Sequence, residues 1–171
     1  IDRLLDWVVR RGLAGVPGAD LLRTFCEKVN AAGLPVSRGL AFIDTLHPVH
    51  EGTAFRWRND DVAEEASAQY GPSDEGALAQ SWQASPFFHL LQTGGEELRR
   101  HLAAGASADF PSIQEAQALG ATDYLVFVHR FAAEAAIGDM DCVYSAWWTR
   151  RPGGFGDADV AALRRLVPAL A

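Results

Sequence analysis

Methionine and cysteine are almost missing from this 171-residue chain, which has one Met and two Cys. Cys26 and Cys142 lie far apart and fit no zinc or redox spacing, so free thiols in a cytoplasmic setting are the expectation. No apolar run approaches the roughly 20 residues needed to cross a bilayer. The opening stretch IDRLLDWVVRRGLAG is interrupted by Asp2, Arg3, Asp6, Arg10 and Arg11, with no small-residue cleavage site after it, so it does not read as a signal peptide. The chain starts on Ile1 instead of Met, and a longer natural protein is expected around it. A basic stripe is also lacking. With a formal net charge of −7 and a pI near 5.1, a nucleic-acid partner or an anionic membrane surface is disfavoured.

The short motifs of catalysis are absent too: there is no GxSxG and no HExxH. RPGGFGD sets glycines before a helix, but it lacks the Lys-Ser/Thr pair of a phosphate loop and the full GxGxxG spacing, and it reads as a tight turn. No internal repeat or low-complexity tract occurs. A stand-alone enzyme is therefore disfavoured. What is present is ordinary globular composition, 49% hydrophobic and 22% charged, at a length that suits one domain.

Periodicity divides the chain. Leu4, Leu5, Val8 and Val9 predict a short helix ending near Gly12, and Leu21, Leu22, Phe25, Val29 and Ala32 predict a second from Asp20, closed by Gly33 and Pro35. The period then changes: Val36, Leu40 and Phe42 share one strand face, and Phe55 and Trp57 alternate with Arg56 and Arg58 across a hairpin. Residues 59 to 77 are polar and read as a loop with some helix. Two short helices follow, with Ser85 as cap, Pro86 in the first turn and Gly94-Gly95 as the end of the second. In EELRRHLA, Leu98 and Leu102 fit a helix by spacing, while Leu98, Arg100 and Leu102 also alternate as in a strand. Ser112 and Glu115 form the pattern of a capping box. TDYLVFVHRF and DCVYSAWWTR predict two central, two-sided strands, and a helix runs from Asp157 to the end. Paired strands with helices segregated around them make an α+β fold with an antiparallel sheet.

Aromatic residues are the candidate ligand-binding set. Trp57, Trp82, Phe88, His89, Tyr124 and Trp147 lie in or beside the expected sheet, where apolar walls with a few polar tips, Ser145 among them, suit a small molecule. A plain aromatic core is the alternative. Trp147 and Trp148 are adjacent in a strand and must face opposite ways. Among the histidines, HPVH puts His47 and His50 at a metal-capable spacing, although a turn with two solvated imidazoles is the simpler account. His129 reads as a core histidine, and His89 as a polar tip on a pocket or a residue pointing outward. A haem or metal sensor using His47, His89 or His129, with Cys142 as an outside candidate, is one rival reading. A dimerisation module without ligand is the other. In the last helix, Val160, Leu163, Val167 and Leu170 recur at spacings of three, four and three, a seam suited to pairing with a second copy.

Several blocks in order, GLAFIDTLHPVHEGTAFRWR, SPFFHLL, ELRRHL, DFPSIQEAQALGATDYLVF and WWTRRPGGFGDADVAALRRLVPALA, resemble the N-terminal region of bacterial class III adenylate/guanylate cyclases. The resemblance implies one GAF-like (PAS/GAF-type) regulatory domain, with N-terminal helices in 1–35, a sheet with inserted helices in 36–155 and a C-terminal signalling helix in 156–171. It makes ELRRHL a strand. It also implies a homodimer, an unidentified small-molecule ligand and a cyclase domain in cis beyond the last helix, and it leaves any cofactor unknown. The sequence departs from the pattern at Trp148, where a small polar residue is expected, and in the long apolar hairpin region after His129.

Overall fold

The computed structural model describes residues 1–44, 52–60, 65–70, 76–102, 108–130 and 142–170. Helices α1 (Asp2–Leu13) and α2 (Gly18–Ala31) lead into strands β1 (Arg38–Asp44), β2 (Gly52–Arg58) and β3 (Ser67–Tyr70). Helices α3 (Gly76–Gln83) and α4 (Pro86–Thr93) precede β4 (Glu97–His101), and α5 (Pro111–Ala118) precedes β5 (Asp123–Arg130). Strand β6 (Cys142–Thr149) feeds α6 (Asp157–Leu166), which ends in a 3-10 turn, Val167–Leu170. The strands form one six-stranded sheet in the order β3-β2-β1-β6-β5-β4. Every neighbouring pair is antiparallel. None of the described helices is long and apolar enough to cross a membrane.

Strand alternation sends side chains to two different covers. On one face Leu125, Phe127 and Trp147 pack with Val8 of α1, Phe25 and Val29 of α2, and Leu163 and Leu166 of α6. On the other, Leu98, Val126, Val128, Tyr144, Ala146 and Trp148 pack with Phe87 and Leu90 of α4 and Ile113 of α5. These are called the terminal-helix face and the short-helix face. All eight residues of β6 are buried, as a central strand covered on both sides requires.

Local chemistry explains the ends of the elements. The Ser85 hydroxyl accepts a hydrogen bond from the Phe88 amide at 3.1 Å, Pro86 fills the first helical position, and Gly94 closes α4 at φ 70°. Ser85→Ala is expected to lower unfolding free energy by about 1 kcal/mol in chemical denaturation, since an amide of the first turn loses its partner. At the end of α2, Asn30 donates to the carbonyls of Cys26 at 3.0 Å and Val36 at 2.9 Å, tying the helix to the chain entering β1.

Four expectations need correction. Residues 59 to 77 contain a strand, β3, paired with Gly52–Phe55 of β2. It is an edge strand held by backbone bonds, with Ser67 and Gln69 facing solvent, so it carries no hydrophobic period. Val36 lies before β1 and is buried against the terminal helices, away from Leu40 and Phe42 on the opposite face. The capping box at Ser112 does not form. Helix α5 begins two residues earlier than that cap would set it, on Pro111, with Phe110 as its extended N-cap, because the fixed φ of proline suits the first helical position. Finally, Val160, Leu163 and Val167 are 5%, 0% and 1% exposed, and Leu170 packs on the same cluster. The seam is consumed by the domain's own core. Pro168 breaks the α-helical hydrogen-bond pattern here, and the chain tightens into the 3-10 turn.

The expected ELRRHL strand is β4. The hairpin containing His47 and His50, and the apolar segment after Arg130, lie outside the described residues.

Candidate functional site

The short-helix face is built in three rows across the sheet. In the first, Phe42 of β1 stands opposite Tyr144 of β6 and Tyr144 opposite Val128 of β5. Rings from the helices close on this row. Trp82 meets Tyr144 edge-on at 5.2 Å, and Phe87 meets both Tyr144 at 5.6 Å and Phe42 at 5.4 Å. Such edge-to-face contacts match the positive ring edge to the negative ring face. The middle row is aliphatic and small: Leu40, Ala146, Val126 and Leu98.

The third row is polar. Register aligns Arg100, Tyr124, Trp148, Arg38 and Arg58 across β4, β5, β6, β1 and β2. Arg100 grips Asp109 at 2.6 Å and 3.2 Å. Arg58 forks onto Asp60 at 2.8 Å and 3.0 Å, and Arg150 reaches the same carboxylate at 3.0 Å while lying 5.3 Å over the Trp148 ring. The hydrogen bond from Arg58, with that from Arg150, lowers the Asp60 pKa to about 2. Asp60 therefore stays ionised at any neutral pH, and what this ion cluster contributes is present above about pH 4 and fades as pH falls towards 2. Arg100 likewise holds the Asp109 carboxyl below its ordinary value. Burial pushes the Tyr124 phenol up, with the neighbouring Ser112 hydroxyl of α5 pulling the other way, so it remains a hydrogen-bond donor. This face thus orders aromatic rings, small aliphatic side chains and cationic, hydrogen-bonding groups in sequence, the chemistry that a flat apolar molecule with a polar terminus would need.

Of the six residues expected to bind a ligand, four share this face. Tyr124 is buried, Trp82 and Phe88 are half-buried and 6.3 Å apart, and His89 is exposed beside Phe110 at 5.6 Å. The other two do not join them. Trp147 lies on the terminal-helix face, fully buried, donating its indole N–H to the Ser145 hydroxyl at 3.1 Å and meeting Phe25 edge-on at 5.6 Å. Trp57 packs on the same side, half-buried. Trp148 takes the place expected for Trp147, and Phe42, Tyr144 and Arg38 are the further residues that sequence reading missed. The spacing of Trp148 from Tyr144 in β6, an even number of positions, was the available signal.

His89 and His129 also stand on opposite faces. His129 stacks on Phe127 at 5.6 Å, and burial lowers its pKa, favouring a neutral ring whose Nε2 is buried with no hydrogen-bond partner among the described residues. Cys142 is buried on the short-helix side. Among the described residues, no three His, Cys, Asp or Glu side chains gather as a metal site would require.

Beside the polar row sits the root of α6. Asp123, fully buried, is next to Tyr124 and pairs across the sheet with Thr149. It accepts hydrogen bonds from Arg99 at 2.7 Å and 3.1 Å and from the Phe155 amide at 2.9 Å. Arg99 also donates to the Phe155 carbonyl. The turn before α6 passes so close that a Cβ on Gly154, at φ 77°, would meet the Asp123 carboxylate at 2.6 Å. The glycines of RPGGF are thus required by a tight turn against a buried acid. Asp159 then caps α6 by accepting from the Gly156 amide at 2.8 Å, and it pairs with Arg151.

Comparison by sequence, with protein-family models and with curated proteins, finds no match. Comparison by structure does. The chain is similar to the phycocyanobilin-bound GAF domain from a cyanobacterial phytochrome, with TM-score 0.55 and 12% identity over 99% of this chain and 90% of that one. It is similar as well to the phycoerythrobilin-bound GAF domain from a cyanobacterial phytochrome, with TM-score 0.54 and 11% identity over 99% and 91% of the two chains. At these identities the likeness is one of fold. The chain has a GAF-like α+β fold, an antiparallel sheet with helices on both faces and a helix at the C-terminal end.

Proposed function

We propose that this chain is a cytoplasmic sensor module that binds a small molecule on the short-helix face and passes the event to α6. The observation that carries this reading is adjacency. Tyr124 and Trp148, which present the polar row, are chain neighbours of Asp123 and Thr149, and Asp123 holds the turn that launches α6. A ligand that binds more tightly to one arrangement of Tyr124 and Trp148 biases the setting of Asp123, and with it the helix root. The resemblance in sequence supports a further step: the natural protein carries an adenylate or guanylate cyclase domain beyond α6, and the sensor is not itself the enzyme.

The working unit in this reading is a homodimer. Because the α6 seam is buried, the surface proposed for pairing is α1, which exposes Leu13 at 85% and Val9 at 48%.

Native mass spectrometry of the chain as purified tests both parts. The expected result is a mass of two chains carrying retained small molecules, with the retained mass lost in Trp148→Phe and kept in Trp57→Phe. A bare chain that gains no thermal stability from any member of a metabolite panel would instead favour a filled dimerisation module. Production of a cyclic nucleotide from ATP or GTP by the longer natural protein tests the cyclase assignment.

A further inference from the structure

A concavity adjoins that face where its polar row ends on Arg58 and Asp60. A cleft of about 190 Å³ opens at the β3 side of the sheet. The β3 register ends at Phe55, the Arg56 amide still bonds to the Ala66 carbonyl before β3, and β2 runs on through Trp57 and Arg58. Asp20 and Arg23 from α2 and Asp60 after β2 complete the walls that matter. The cleft wraps the sheet edge, so neighbouring residues of β2 that point to opposite faces all reach it.

Its charges are unevenly spent. Arg23 is shared between Asp20 at 3.3 Å and Glu27 at 3.1 Å. Arg58 is forked onto Asp60, which also takes Arg150. Asp60, held by two guanidinia, is more than offset, and Asp20 is the one lining acid whose partner is shared with a second carboxylate. Arg56 is half-buried, its amide donates to the Ala66 carbonyl at 2.9 Å, and its guanidinium has no hydrogen bond or ion pair among the described residues. A guanidinium partly withdrawn from water without a counter-charge is an unfavourable arrangement that an oxyanion relieves. The half-buried indole of Trp57 beside it offers a flat apolar surface.

We propose that this edge cleft binds a small organic oxyanion, a carboxylate or phosphate monoester carried on a flat apolar group. Arg56 takes the oxygens with its planar fork and Trp57 takes the flat part. The site adjoins the proposed sensor face, since Arg56 stands opposite Leu40 and Arg58 and Asp60 belong to the polar row; its test is read at the Trp57 indole, so its failure leaves the sensor reading, tested at Trp148, standing.

Nitrogen-15 NMR of the chain provides the test, with the Trp57 indole signal assigned through Trp57→Phe. Benzoate and phenyl phosphate are titrated at constant ionic strength, with benzyl alcohol as the uncharged control. The expected result is a saturable shift of the Trp57 indole by at least one of the two anions, the tighter of them identifying the carboxylate or the phosphate arm. Arg56→Gln is expected to weaken that binding about tenfold or more, and Arg56→Lys by less, because it keeps the charge and loses the fork. An undisturbed Trp147 indole signal reports that the variants keep their fold. The proposal is overturned by any of three results: no saturable shift with either anion, equal affinity in Arg56→Gln, or an equal effect of benzyl alcohol.

Discussion

Asp123→Ala is expected to lower unfolding free energy by about 3 kcal/mol, and to loosen the start of α6 before the rest of the domain. The carboxylate is fully buried and accepts from three donors: two nitrogens of the Arg99 guanidinium and the Phe155 amide. Removing it leaves the Phe155 amide without a partner and the Arg99 cation with only the Phe155 carbonyl, and each such loss is large because water does not readily replace the carboxylate there. The figure is set at the low end for a broken buried pair because the Arg99 side chain keeps 21% exposure. Asp123→Asn retains an acceptor oxygen and should lose less. Urea denaturation measures the first quantity, and hydrogen exchange at the Phe155 amide measures the second. Exchange at that amide as slow as in the parent chain would mean that Arg151, bonded to the Gly154 carbonyl at 2.9 Å and paired with Asp159, holds the turn by itself.

The second large effect is a compensation. Trp147→Ala should lower stability by about 4 kcal/mol, the scale of emptying a fully buried aromatic site. Gly39→Ala should lower it by about 1–3 kcal/mol, since the added Cβ would sit 2.8 Å from the Trp147 ring and 3.0 Å from the Cys26 sulfur. The two residues stand opposite each other in the β1–β6 register, so the changes are not independent. Gly39→Ala combined with Trp147→Phe is expected to be at least 1 kcal/mol more stable than the sum of the single changes predicts, because the smaller ring vacates the space the methyl needs. Thermal or urea denaturation of the four proteins completes the cycle. Strict additivity would show that Gly39 is tolerant and that the ring can shift.

The strands were legible where side chains declare them. Residues 123–130 and 142–149 are β-branched or aromatic and run apolar on both faces, which is what a covered central strand needs. Helix α4 was legible because Ser85, Pro86 and Gly94 each have one local job. What stayed hidden depended on partners distant in sequence. Strand β3 is held by backbone bonds to β2, which its polar side chains do not reveal. The seam of α6 has the same spacing whether it meets a second chain or its own sheet, and only the packing of α1 and α2 decides between them. The tryptophan pair had to split, yet nothing local says which indole goes to which cover. That is fixed by Gly39 beneath Trp147 and by Arg150 over Trp148.

The pairing of β1 with β6 has a kinetic consequence. The first strand and the last lie side by side in the middle of the sheet, and the bond from the Arg150 amide to the Ser37 hydroxyl joins positions 113 apart in sequence. A chain emerging from the ribosome therefore holds two incomplete half-sheets, β3-β2-β1 and β5-β4, until its last strand arrives to bridge them. Loop closure over that distance comes before any of the reward from the two-sided core, which places this domain among the slower folders of its size. Until then, the inner edges of β1 and β5 are unpaired, and this is the interval in which the chain is most exposed to association with others.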